Sequence, residues 1–135
     1  MGRMIFVNLP VKDLQRSIDF FRGLEFEFNE QFTNDQAGFM IVNDQAAVML
    51  VTEPFFSTFS DVKAIADTAT TYEVSNAISA ESREKVDQLV DKALATGATV
   101  SKPPSDEGFM YSRSFQDPDG HLWDIHWMDP SAIGS

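Results

Sequence analysis

The chain has 135 residues, 43% of them hydrophobic, which is enough for one domain with a real core. A net charge of −11 repels phosphate backbones and anionic lipid, so neither nucleic acid nor a membrane is expected as a partner. There is no cysteine, which excludes disulfides, thiolate metal sites and cysteine nucleophiles, and without a signal-like or long apolar run the expected location is cytoplasmic.

Met4 to Val11 is an apolar stretch that reads as a strand. Asp13 is a good N-cap, and Leu14, Ile18 and Phe21 follow at helical spacing. Gly23 is expected to stop that helix just past its end. Glu25 to Phe32 alternates through Phe26, Phe28 and Phe32 and predicts a second strand. Phe39 to Val42 and Ala46 to Thr52 flank Asn43-Asp44-Gln45, a hairpin signal. Module one is thus placed at residues 1–53. A connecting segment, 54–70, carries Phe55, Phe56 and Phe59 and is expected to hold a short helix around Asp61 to Ala66. Its aromatics read either as plain packing or as cover for a ligand site.

The pattern then repeats as module two, residues 71–130. Tyr72 to Ala80 is strand-like, Ser82 caps a helix with Val86, Leu89, Val90, Ala93 and Leu94 on its apolar face, and Gly97 ends it. Thr99 and Val100 restart a strand, Pro103-Pro104 break it, and Phe109 to Phe115 is expected to pair with His121 to Met128. Gly-Phe-Met occurs at 38–40 and again at 108–110, which reads as equivalent places in a duplicated βαβββ unit.

The stretch from Asp117 to Trp127 is the most informative. Asp117-Pro118-Asp119-Gly120 is a turn: Pro presets φ and Gly accepts the positive φ that closes it. The residues after the turn alternate in period two. His121, Trp123, Ile125 and Trp127 share one face; Leu122, Asp124, His126 and Met128 share the other. Asp124 and His126 therefore project to one side, roughly 7 Å apart. An acid and an imidazole so placed suit metal binding or proton transfer. The alternative is a structural pair, with Asp124 hydrogen-bonded to a neighbouring strand or bridged to Arg113 across the hairpin and His126 satisfied locally. His121 is expected to face solvent.

Two βαβββ modules, the entry Pro10-Val11-Lys12-Asp13-Leu14-Gln15-Arg16-Ser17-Ile18-Asp19-Phe20-Phe21 and the late Asp117-Pro118-Asp119-Gly120-His121-Leu122-Trp123-Asp124 together resemble the vicinal oxygen chelate superfamily. Glyoxalase I, extradiol dioxygenases and bleomycin- and fosfomycin-resistance proteins belong to it. The resemblance covers nearly the whole chain and is nearest to a subgroup known only as glyoxalase-like. It implies an α+β fold whose modules form a cup-shaped, roughly eight-stranded mixed sheet with helices outside, often completed by homodimerisation. It also implies a divalent metal ion in the cup, with ligands on the first and last strands of each module.

Carried over by position, those ligand places fall on Asn8, on Met49 or Leu50, near Ser75 with Glu73 two residues earlier, and on Asp124. Met49 and Leu50 supply no hard donor, and Asn8 and Ser75 are weak neutral ones. Asp124 is the one carboxylate left, so no cofactor is certain. Asp124 and Glu73 are the candidate catalytic residues, Asp124 the candidate metal ligand, and Asn8, Ser75, His126, Phe39, Phe56 and Trp123 the candidate ligand-binding set. Arg113 and Lys63 are the cations considered for an anionic ligand group. The resemblance leaves two functions open. One is a metal-assisted lyase or isomerase acting on a small, partly apolar molecule. The other is a metal-free protein that sequesters a ligand or drug, as in bleomycin resistance.

Overall fold

Asp13 opens the first helix as its sequence position requires: its carboxylate accepts from the Arg16 amide at 3.1 Å. The structure is a computed structural model that describes residues 2–133. In module one, β1 (Ile5–Val11) leads into α1 (Leu14–Gly23), followed by β2 (Glu27–Phe28), β3 (Ala37–Asn43) and β4 (Ala46–Thr52). The sheet order is β1-β4-β3-β2, with β1 parallel to β4 and the other pairs antiparallel.

Gly23 does not stop α1. The left-handed residue is Glu25, at φ 72°. The Phe26 amide donates to the Phe21 carbonyl and the Glu25 amide to that of Arg22, while the Phe21 and Phe26 rings meet edge to face at 5.9 Å. These are the bonds and the apolar contact of a Schellman cap, and the ring contact outweighs the strain at Glu25. The strand expected from Glu25 to Phe32 shrinks to two residues. The Asn29 side chain accepts from the amides of Gln31 and Phe32 and bends the chain into a 3₁₀ turn. The expected hairpin forms, with the Asn43 side chain accepting from the Gln45 amide at 2.8 Å. Leu9, Val11, Met40, Val48 and Leu50 are buried on one side of the sheet, the side on which Gly38 lies against Ile18 and Phe28.

The helix expected at Asp61 to Ala66 is absent; the helical turn comes earlier, as α2 (Glu53–Phe56) running into a 3₁₀ turn at Ser57–Phe59. Pro54 suits the first turn of a helix. The Ser60 hydroxyl then accepts from the amides of Val62 and Lys63, which takes up the donors a helix there would need.

The chain divides into two compact units, one ending at Asp67 and the other beginning at Thr68, so the connecting segment is shared between them. In module two, β5 (Ser75–Ser79) leads into α3 (Arg83–Ala95), then β6 (Thr99–Val100), β7 (Ser105–Asp106), β8 (Met110–Gln116), β9 (Leu122–Met128) and a terminal α4 (Pro130–Ile133). The order is β5-β9-β8-β6, with β7 also on β8 and β5 parallel to β9. Ser82 caps α3 through the Lys85 amide, and Gly97 follows its end at φ 121°. Val86, Val90 and Ala93 of α3 are buried, as are Phe115, Trp123 and Ile125 on one side of the sheet; together they are the core of this module.

The α+β class and the two βαβββ modules are as expected. The Gly-Phe-Met repeat is not part of the duplication. Phe39 lies within β3 opposite Met49, whereas Gly108 and Phe109 precede β8 and Gly108 takes φ 83°. Among the described residues no helix is long and apolar enough to cross a membrane.

Candidate functional site

β9 sorts its residues as period two demands. Trp123 and Ile125 are buried on the helix side, and Leu122, Asp124, His126 and Met128 are half-buried on the other side, the open face. Pairing tells which neighbours join them. Ala77 and Ser114 flank Asp124, Ser79 and Ser112 flank His126, and Met110 lies beside Met128. The open face thus has a polar centre on a floor of small residues, with Leu122, Met110 and Met128 at its ends.

Two atoms at that centre stand out. Ser114 Oγ and Asp124 Oδ1 are buried and have no hydrogen-bond partner among the described residues. Buried polar atoms are nearly always paired, so two orphans on directly opposed residues make this the candidate site. Ser114 was not among the residues singled out from the sequence. Counting the hairpin register back from the Asp-Pro-Asp-Gly turn would have found it.

That turn fixes β9 in place. Asp117 is buried; one carboxylate oxygen accepts from the amides of Asp119 (2.9 Å) and His121 (3.0 Å), the other from the Trp123 indole (2.9 Å). Burial pushes the Asp117 carboxyl above the ordinary range, against the opposing pull of His121 and the three N–H donors. His121 is buried too, contrary to its expected solvent position. Trp123 is 1% exposed and belongs to this anchor and the core, on the opposite side of β9 from Asp124. It is not placed to touch a ligand on the open face.

Arg113 and Arg83 lie on the helix side. Arg113 binds Asp87 and Asp91 at 2.9 Å each, so it does not pair with Asp124 across the hairpin. Tyr111 donates to Asp87 at 2.7 Å, and that bond, with Arg113, holds Asp87 below the usual carboxylate range. Arg83 makes a two-pronged contact with Asp106 and lies over the rings of Tyr111 and Trp127 at 5.2 Å. The Arg83 bond, with the Gly108 amide, lowers the Asp106 pKa to about 2.

Other expected residues fall differently. Glu73 is exposed and precedes β5, outside the strand that was to present it. Ser75 is on the open face but opposite Leu122; the residue opposite Asp124 is Ala77. In module one, Asn8, Met49 and Phe39 form one cross-strand row, which settles the register on Met49, with Leu50 fully buried behind it. Phe39 meets Phe6 edge to face at 5.6 Å and Phe32 at 6.1 Å, making an aromatic patch. Phe56 belongs to a different cluster, against Phe59 at 5.4 Å. Lys63 is exposed.

These residues do not fit the metal that the resemblance implies. The inherited places hold an amide, a thioether, a hydroxyl and one carboxylate, where a catalytic divalent ion takes at least three strong donors. Among the described residues no cluster of three or more His, Asp or Glu side chains could hold a metal ion.

Residues 3–125 match the family described as Glyoxalase/Bleomycin resistance protein/Dioxygenase superfamily. Among solved structures, the chain is similar to a hypothetical protein, SA1046, of S. aureus, at 28% identity and TM-score 0.79, covering 94% of this chain and 95% of that one. It is also similar to a glyoxalase/bleomycin resistance protein/dioxygenase family enzyme of Burkholderia phytofirmans PsJN (19%, TM-score 0.74, 94% and 99% covered). The genomically encoded fosfomycin resistance protein FosX of Listeria monocytogenes resembles it as well (22%, TM-score 0.65, 94% and 93% covered). No curated protein matches the chain.

Proposed function

The chain belongs to the glyoxalase/bleomycin resistance protein/dioxygenase superfamily, and from that premise we propose that it binds a small, partly apolar molecule on the open face of module two without a family-type metal ion. The observation that carries this reading is the pair of buried, unpartnered atoms Ser114 Oγ and Asp124 Oδ1. Leu122, Met110 and Met128 offer apolar contact on either side of them, with adaptable thioethers at two of the three places. His126 and Ser75 lie on the same face within reach of a larger ligand. A sequestering role accords with the bleomycin resistance named in the family. The alternative is a metal-assisted lyase with Asp124 moving a proton; it has the family for support but lacks the donor set. We also propose that the protein is cytoplasmic, and that it works as a homodimer, because β1 and β5 each end a sheet whose backbone edge a partner could cover.

The purified protein is expected to carry no stoichiometric Ni, Mn or Zn by elemental analysis and to show no thermal stabilisation by any of the three. A bound metal at one per chain that is lost in Asp124→Asn would replace this reading with the metal-enzyme one. Sedimentation velocity checks the dimer.

A further inference from the structure

The charges of module two are sorted by face. Its two arginines near the sheet are matched on the helix side, Arg113 by Asp87 and Asp91, Arg83 by Asp106. The open-face residues of β5, β8 and β9 include no lysine and no arginine, and among the described residues no ion pair reaches Asp124. Asp124 is therefore a carboxyl group with one oxygen buried and no ion-pair partner among the described residues. Its buried neighbour Ser114, 7% exposed and also unpartnered, offers a hydroxyl that can accept or donate. An ionised carboxylate only accepts, and a buried charge without a partner is strongly unfavourable. A group that satisfies the carboxylate oxygen brings N–H or O–H donors, which the Ser114 hydroxyl can also accept. A positive group neutralises the carboxylate as well, which His126 on the same face does not do by any ion pair among the described residues. A divalent metal is a poor fit for one carboxylate and one hydroxyl.

Resting on the proposed open-face binding, we propose that the ligand is an organic cation whose protonated nitrogen donates to Asp124 Oδ1 and to Ser114 Oγ, with its apolar part along Leu122, Met110 and Met128. The net charge of −11 favours the approach of such a ligand at low ionic strength.

The test compares three probes of one shape on the full chain: benzylammonium, benzyl alcohol and benzoate, each followed by amide chemical shifts. Benzylammonium is expected to shift Ser114, Asp124 and His126 saturably and to bind at least tenfold more tightly than either other probe. Asp124→Asn, checked for folding by its thermal transition, is expected to weaken benzylammonium at least tenfold, and Ser114→Ala to weaken it several-fold. If benzyl alcohol or benzoate shifts the same residues with equal or higher affinity, the cation assignment is overturned while the open-face site stands. If no probe shifts these residues, both the assignment and the site are overturned. Should Asp124→Asn fail to fold, the contrast among probes on the wild type and Ser114→Ala decides the matter.

Discussion

Asp117→Asn tests whether the buried turn carboxylate anchors the last strand. The amide can keep one oxygen for the amides of Asp119 and His121, but its nitrogen then faces the Trp123 indole N–H, donor against donor, at a contact of 2.9 Å. Turning the amide over leaves two backbone donors unpaired instead. A buried donor left unsatisfied costs about 1–3 kcal/mol, so a loss of that size is expected, read by urea denaturation. For a chain of this length it corresponds to a fall in Tm of about 3–6 °C per kcal/mol. The pH dependence comes from the raised carboxyl. A group whose folded pKa lies above its ordinary 3.8 contributes most below that value, and the contribution fades as pH rises through the folded value. The gap between wild type and Asp117→Asn is therefore widest in acid and narrows toward neutrality. Trp123→Phe completes a double-mutant cycle, with an expected coupling of about 1 kcal/mol or more. A coupling below about 0.3 kcal/mol would refute the anchor, and a gap that widens toward neutral pH would show instead that burial does not raise this carboxyl.

Asp124→Asn should behave oppositely, leaving urea stability equal to or above wild type, because the buried oxygen of that side chain holds no hydrogen bond to lose and the amide carries no charge. A loss above 2 kcal/mol would show that Asp124 is a structural group. Gly120→Ala should destabilise by more than about 1 kcal/mol on thermal unfolding, since its Cβ would meet the Thr68 carbonyl oxygen at 2.6 Å and the backbone sits at φ 86°. Wild-type thermal stability with this glycine replaced would show that the segment at Thr68 is free to move aside. Asp106→Asn should remove part of the acid limb of the stability curve. A carboxyl lowered to about 2 contributes above its ordinary 3.8 and loses that contribution as pH falls through about 2, so the variant's curve should be flatter over that interval. An unchanged acid limb would show that the exposed Arg83 pair contributes nothing. Leu50→Ala, fully buried behind Met49, is expected to cost about 2–5 kcal/mol by urea denaturation, and a loss under 1 kcal/mol would place it outside the core.

Where one local interaction decided the outcome, the sequence was readable. Asp13 and Ser82 cap their helices, Asn43 closes its hairpin, and the Asp-Pro-Asp-Gly turn lies where its residue types required. The alternation of β9 also placed Asp124 and His126 on one face. What could not be read depended on a second segment. Glu25 takes a strained backbone because Phe21 and Phe26 meet, a contact that outweighs the convenience of Gly23. Arg113 turns to α3 because Asp87 and Asp91 wait there, one helical turn apart. Trp123 and His121 are buried because Asp117 gathers donors from three positions at once. Glu73 was assigned to a strand by the residues around it, but β5 begins two residues later. The proposed site was half visible: Asp124 was among the candidates read from the sequence, while Ser114 required the pairing of β8 with β9.

Each module closes on a strand that comes late. β1 waits for β4, with Ile5 opposite Ala46, and β5 waits for β9, with Ser75 opposite Leu122, 47 residues on. Such long-range parallel pairing slows folding, because the loop must close before any contact rewards it. On the ribosome, module one has all its strands once Thr52 has emerged. Module two must hold β5 unpaired through the synthesis of α3 and β8 until Met128 appears. The strand that carries Asp124 is thus the last of the described strands to arrive, and until it does β5 keeps an unpaired edge through which a nascent chain can misassociate.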